Sequence, residues 1–208
     1  ETRILKAIKF SMVIHKSFSF VKLNYSYMRL IISLLLVSLF FSCGQKDGPD
    51  VSDIKIELVT NRFEKSLFSL DTNNLATQLD KLIASYPSFG ENFISTILNT
   101  DPRWSADSAN MYVKGFITAY RNVFDSTEKV FKDFSFFEKE IKMGLQHVKY
   151  YFPAYKTPNQ IITYIGPIDG YGDILTEEAL IIGLHHHLGK NFSMYRLPFV
   201  QEVYAGYI

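Results

Sequence analysis

The order of apolar and polar positions divides the chain into a greasy opening, a helical middle and a strand-bearing end. Residues 54–58, "IKIEL", alternate apolar and charged side chains, the period-two pattern of a short edge strand. "NRFEKSLFSLDTNN" has no sustained period and reads as a semi-extended approach. Leu75, Leu79, Leu82, Ile83 and Tyr86 then recur at helical spacing, which predicts an amphipathic helix over 74–86 stopped by Pro87. In "SFGE", Ser88 and Glu91 stand at capping-box spacing and open a second helix with Phe93, Ile94, Ile97 and Leu98 on one face. A third helix is predicted over 106–122 from Ala109, Tyr112, Val113, Phe116 and Tyr120, and a short fourth over 126–132. "SFFE" repeats the capping box at Ser135 and Glu138. It begins the most regular helix, 136–152, whose buried stripe is Phe137, Ile141, Leu145, Val148 and Phe152, with Glu138 and Lys142 paired outside. After Pro158, "QIITYIG" is apolar, β-branched and aromatic and reads as a buried strand, followed by the turn-rich "PIDGYGD". "ALIIGLHHHLGKNF" fits a helix through Leu180, Leu184 and Leu188 and a strand through its Ile-Ile pair and Gly183, and the strand is the favoured reading. The pattern as a whole predicts a helix-rich α+β fold: N-terminal amphipathic helices followed by a small β-sheet element.

The opening follows other rules. Leu30 to Phe41 is twelve residues without a charge, against the roughly 20 that a bilayer-spanning helix needs. That is the length of a signal-peptide apolar region, and Met28-Arg29 before it supplies a start and a basic residue. A buried core helix would show a polar face, and this run has only Ser33 and Ser38. The run ends in "LFFSC", which resembles the lipobox of a bacterial lipoprotein, with small Ser42 before Cys43 and Phe40 departing from the usual aliphatic residue. Cys43 is therefore the expected lipid-attachment site, its thiol taking a diacylglyceryl group. The expected organisation is an upstream extension over 1–27 outside the mature protein, a lipoprotein signal peptide over 28–42, a flexible tether over 43–53 beginning "CGQKDGPD", and one domain over 54–208 that continues past Ile208.

Charge sharpens this division. The net charge of +1 over 208 residues conceals an uneven placement. Residues 1–42 hold six Lys/Arg and one acid; from Cys43 onward 16 basic residues face 20 acidic ones. A mildly acidic domain behind a basic start is not a nucleic-acid binder. One cysteine excludes an internal disulfide and a CxxC metal site.

Candidate chemistry is sparse. The most conspicuous polar cluster is His185-His186-His187. On a strand, His185 and His187 would point the same way and could hold a metal, with a third ligand drawn from His147, Asp173, Glu177 or Glu178. A surface or strand-edge role is the plainer reading, and neither a metal nor another cofactor is expected. Glu177 and Glu178 are a loop acid pair or the first turn of a helix. Tyr150, Tyr151 and Phe152, at a helix end in helical phase, read as core. The sequence has no GxSxG, Walker-type or GxGxxG motif, so no catalytic constellation is visible.

Several segments resemble the gliding-motility lipoprotein B family (GldB) of the Bacteroidetes. They are "RFEKSLFSLDTNN", "LIASYPSFGENFISTIL", "VFKDFSFFEKEIKMGLQHVKYYFPAYKTPNQIITYIG" and "IIGLHHHLGKNFSMY", which span residues 61–195 in the family's order. The His triplet departs from the family pattern. The resemblance implies a cell-envelope lipoprotein required for surface gliding, held to the membrane through its N-terminal lipid and working with other motility or secretion-apparatus proteins. It also implies a chain that runs on past Ile208 and a faint likeness to zinc-peptidase-like folds. Two other roles remain open from the residues: a lipid-anchored hydrolase, and a solute-binding lipoprotein with an aromatic pocket around Tyr150, Tyr151 and Tyr164.

Overall fold

The computed structural model describes residues 48–204, together with Arg29 and Ser33, which are helical and exposed. The chain divides into two units, Glu1–Gly48 and Pro49–Ile208. Apart from Arg29 and Ser33, the expected signal peptide lies outside the described residues, as does Cys43. Among the described residues no helix is long and apolar enough to cross a membrane.

The second unit is helix-rich α+β, as the periodicity predicts. Strand β1 is Val59–Arg62 and passes directly into helix α1, Phe63–Phe68. Both differ from the sequence expectation: the strand lies later than "IKIEL", and "FEKSLF" is helical rather than extended. The cause is tertiary. Phe63, Leu67 and Phe68 are buried, and a single helical turn brings them to one side, where an extended chain would split them between two.

Helix α2 is Leu75–Ser85 and α3 is Phe89–Asn92, continuing as a π-helical turn over Phe93–Ile97. The capping box expected at Ser88 is not formed: Ser88 sits at φ 65 and its side chain makes no cap bond. Packing explains this sharp entry. A Cβ on Gly90 would lie 2.7 Å from the Ile83 carbonyl oxygen, so α3 rests backbone to backbone on α2. Helix α4 is Ala106–Ala119, capped by Ser105 accepting from the Ser108 N–H; α5 is Arg121–Phe131; α6 is Ser135–Tyr151. The second expected capping box is also replaced, since Asp133 Oδ1 accepts from the Ser135 N–H at 3.0 Å.

Strand β2 is Gln160–Tyr164, β3 is Ile174–Leu175 and β4 is Ala179–Gly183; a helix α7 spans Pro198–Tyr204. The sheet order is β1-β2-β4-β3, with β1, β2 and β4 parallel and β3 antiparallel to β4. Parallel pairing requires crossovers, and the link from β1 to β2 carries α1 to α6. Parallel sheets are covered on both faces, and β2 is buried from Ile161 to Tyr164. On one face Ile162, Tyr164, Ala179 and Ile181 meet the main core, where Phe63 packs against Tyr86, Phe89 and Phe93 with ring centroids 5.0, 4.9 and 4.7 Å away. On the other face Ile161 and Leu184 pack with Phe131 and Phe134, and with the half-buried Phe137 and Ile141 of α6.

Helix α6 departs from its expected role. It is the most regular helix in the sequence, yet none of its residues is buried. Its stripe residues Phe137, Ile141, Leu145 and Val148 are half-buried, and Phe152 is 65% exposed. Tyr150 and Tyr151 are exposed too, which corrects their reading as core.

Candidate functional site

The His triplet follows β4, but the strand stops at Gly183 and the chain tightens into a 3₁₀ turn, Leu184–His186. Three residues per turn separate neighbouring side chains by about 120°, so residues two apart no longer point the same way. The H-x-H arrangement expected of a strand is therefore absent: His185 points inward and is fully buried, while His187 is 45% exposed.

His185 is held on both sides. Its Nδ1 accepts from the Gly166 N–H at 3.1 Å, which leaves Nε2–H to donate to the Tyr171 carbonyl at 3.2 Å. Its carbonyl accepts the Tyr195 hydroxyl at 2.6 Å, and that hydroxyl accepts from the Leu188 N–H at 3.1 Å. A Cβ on Gly183 would stand 2.8 Å from His185 Cε1, so the glycine makes room for the ring. Burial, with the neighbouring His186 and His187 adding to it, pushes the His185 pKa down to about 3. The ring is neutral and serves to tie the 166–172 loop to the end of β4.

His187 behaves differently. Its Nε2 lies 3.1 and 3.0 Å from the two carboxylate oxygens of Asp173. The Asp173 hydrogen bond, against some burial, raises the His187 pKa. Burial pushes the Asp173 carboxyl up, but the His187 hydrogen bond and charge and the Gly183 N–H outweigh it, and the net direction is down. His186 is shifted down by burial and by the charge of His187.

This pair stands at the rim of a cavity of about 1100 Å³ on the α6 face of the sheet. Phe131, Phe134 and Ile141 form one wall, Leu180 and Ile182 of β4 another, and His186, Lys190 and Glu140 join the pair at the polar edge. The geometry can bind an apolar group with one exchangeable proton nearby. Among the described residues no group of three or more His, Cys, Asp or Glu is placed to hold a metal ion. Of the other sequence candidates, His147 Nδ1 lies 2.9 Å from its own helix's Met143 carbonyl, and Glu177 and Glu178 are exposed. The aromatic pocket suggested around Tyr150, Tyr151 and Tyr164 does not form. Tyr164 is buried in the main core, its hydroxyl donating to the Tyr171 or Gly172 carbonyl, whereas Tyr150 and Tyr151 face outward.

Periodicity misses a buried charge network. Glu64 is fully buried, takes Arg62 Nε on one oxygen and accepts the Thr163 hydroxyl at 2.6 Å on the other. Arg62 also donates to the Phe131 carbonyl at 2.8 Å and lies over the Phe134 ring at 5.3 Å. Two oppositely charged residues two apart at a strand end are the one signal that points to it. A second missed feature is the face of α4, where Trp104 meets Tyr112 edge-on at 5.3 Å and Met111 is 70% exposed.

No curated protein and no solved structure matches the chain. Residues 44–208 match the family described as gliding motility protein GldB. That span holds the sheet, the buried Arg62–Glu64 network and the His185 tie, and the chain belongs to this family of gliding-motility lipoproteins.

Proposed function

We propose that the protein is a membrane-anchored cell-envelope lipoprotein of the gliding-motility machinery that acts through protein partners rather than through catalysis. The observation that carries this reading is the family match over residues 44–208. The anchor is Cys43, placed outside the cytoplasm by the signal peptide before it. One acyl chain holds a protein only marginally and two hold it stably, each buried CH₂ contributing about 0.8 kcal/mol. Cys43→Ser removes the acceptor thiol, and the expected result is loss of fatty-acid label from cells fed a labelled fatty acid; label retained on the variant refutes the anchor.

The α4 face supports action through partners. Trp104, Met111 and Tyr112 are exposed together, and Trp, Tyr and Met are enriched where protein surfaces meet. Full-length protein used as bait in detergent-solubilised envelope membranes is expected to recover motility or secretion-apparatus proteins. Met111→Asp with Trp104→Ser should reduce that recovery about tenfold or more, since truncating one aromatic hot spot at an interface costs about 2 kcal/mol or more. Recovery no better than from a control lipoprotein would sink the reading.

The second reading, a lipid-anchored and degenerate zinc-peptidase-like hydrolase, draws on the His187–Asp173 pair at the rim of the apolar cavity. His185 offers no ring nitrogen to a metal there, because both are used within the fold. Stoichiometric zinc in the purified full-length protein, lost on substitution of His187 and Asp173 with the fold intact, would favour the hydrolase over the partner reading.

A further inference from the structure

The sequence places Tyr150, Tyr151 and Phe152 in the core, and the structure turns them out. They are 48, 60 and 65% exposed, and Tyr155 joins them at 39%. The arrangement is a built turn rather than a frayed end. The Phe152 N–H closes onto the Val148 carbonyl at 2.8 Å and the Tyr155 N–H onto the Phe152 carbonyl at 2.9 Å. Lys149 Nζ reaches the Tyr155 carbonyl at 2.9 Å and pins the turn to the helix. Within a domain that is acidic overall, residues 141–158 carry Lys142, Lys149 and Lys156 and no acid.

Aromatic side chains with an apolar body and a polar tip, flanked by lysines, are the composition that settles at the boundary between lipid headgroups and acyl chains. Lysine adds attraction to anionic headgroups, and its long stem lies along apolar surface. These lysines favour an anionic surface, bounded on the strand side by exposed Glu177 and Glu178, and the bilayer is the anionic surface that the tether already holds close. The patch also lies beside the start of the tether. Gln146 of α6 donates from Nε2 to the Ile54 carbonyl at 2.7 Å, so the chain that leads back to Cys43 begins against the same helix. Val51 is already buried in the domain, and eight Cα steps lead to it from Cys43, a leash of at most about 30 Å when fully extended.

We propose that the α6 exit, Tyr150, Tyr151, Phe152 and Tyr155 with Lys149 and Lys156, is a second, reversible membrane contact that lays the domain on the anionic bilayer to which it is tethered. The proposal rests on the lipoprotein reading for the tether but not for the patch. One weak site held close by a covalent anchor works at high effective concentration, so a shallow aromatic contact suffices.

The test uses Trp104, the one tryptophan among these 208 residues, as its control. Full-length protein carrying Trp104→Phe and Tyr151→Trp, and a companion that keeps Trp104, both with every tryptophan outside these 208 residues replaced by Phe, are reconstituted into vesicles of phosphatidylethanolamine and phosphatidylglycerol that contain brominated lipid. The tryptophan at 151 is expected to be quenched several-fold more strongly than Trp104. Lys156→Glu, or a rise in salt, should weaken that quenching by roughly twofold to tenfold, because the electrostatic part is reversed or screened. Equal quenching at the two positions overturns the proposal. So does a tryptophan at 151 that stays open to aqueous quencher on vesicles and is shielded only when envelope proteins are added. Fatty-acid incorporation at Cys43, read on the same preparation, separates the two ideas. Quenching without incorporation overturns the anchor and keeps the patch, and incorporation without quenching overturns the patch and keeps the anchor.

Discussion

At the scale of the residue, the three consecutive histidines have three different fates, decided by a turn of backbone rather than by their chemistry. His185 enters the fold as a neutral ring with both nitrogens bonded, and His187 stays outside and pairs with Asp173. Their effects on stability run in opposite directions with pH. The folded pKa of His185 is pushed down to about 3 from an ordinary value of 6.5, so below pH 6.5 the unfolded chain takes up a proton that the folded ring refuses. Its contribution is complete above 6.5 and is lost as pH falls through that window, at up to about 1.4 kcal/mol per pH unit. His187 has the opposite sign: its folded pKa is raised, so its pair with Asp173 contributes below 6.5 and fades as pH rises past the folded value. That pair is nearly half exposed, and such pairs contribute about 1 kcal/mol or less. His185 therefore dominates. Urea titrations between pH 7 and pH 4 should show falling stability in wild type and a flatter profile in His185→Gln. A variant profile as steep as wild type would refute the assignment.

At the scale of the element, the junction of β1 and α1 shows what sequence reading reaches and where it stops. Helices α2, α4 and α6 lie within three residues of their expected ends, because three or more turns of apolar spacing leave a readable period. Strand β2 was legible from its β-branched and aromatic run after Pro158. Helix α1 was not, because six residues are too few to show a period. The two capping boxes failed because spacing alone does not say that the backbone enters the helix from an extended conformation; at Ser88 the close rest of Gly90 on Ile83 sets a different entry. The charges at the junction were equally hidden. Arg62 and Glu64 stand in a stretch without a sustained period, yet they join β1 and α1 to Thr163 of β2 and to the end of α5 at Phe131. Removing one partner of a buried pair costs about 3–5 kcal/mol, because the other charge is left without compensation. Arg62→Met and Glu64→Leu should therefore each lower the urea midpoint sharply at unchanged m-value, and the two together should recover much of the loss. If the double variant equals the sum of the two single losses, the two side chains do not act as a unit.

At the scale of the molecule, the two faces of the sheet are unequally finished. One face carries the large aromatic core around Phe63 and Phe93; the other carries a smaller cluster, a large cavity and a helix with no buried residue. No reading of periodicity could have shown this, because the pattern of α6 says which face is apolar and not how much of it finds cover. The inequality has a consequence for local stability. Opening free energy scales with the apolar surface a segment buries, so segments with few buried contacts open well before the whole molecule does. Helix α6 is held by half-buried Phe137 and Ile141 and by two side-chain bonds, Thr60 Oγ1 to Glu138 in its first turn at 2.7 Å and Gln146 to the Ile54 carbonyl further along. Strand β2, with β1 and β4 bonded on either side, has no comparable route to opening. Hydrogen exchange on the full-length protein in detergent should therefore find the amides in the last two turns of α6 exchanging at least tenfold faster than those of Ile161 to Tyr164. The gap should narrow when the protein is moved into anionic vesicles, because the helix exit then gains the cover it lacks. Exchange in α6 as slow as in β2 while still in detergent would mean that the half-buried stripe holds the helix as firmly as the core holds the sheet, and the unequal faces would lose their energetic meaning.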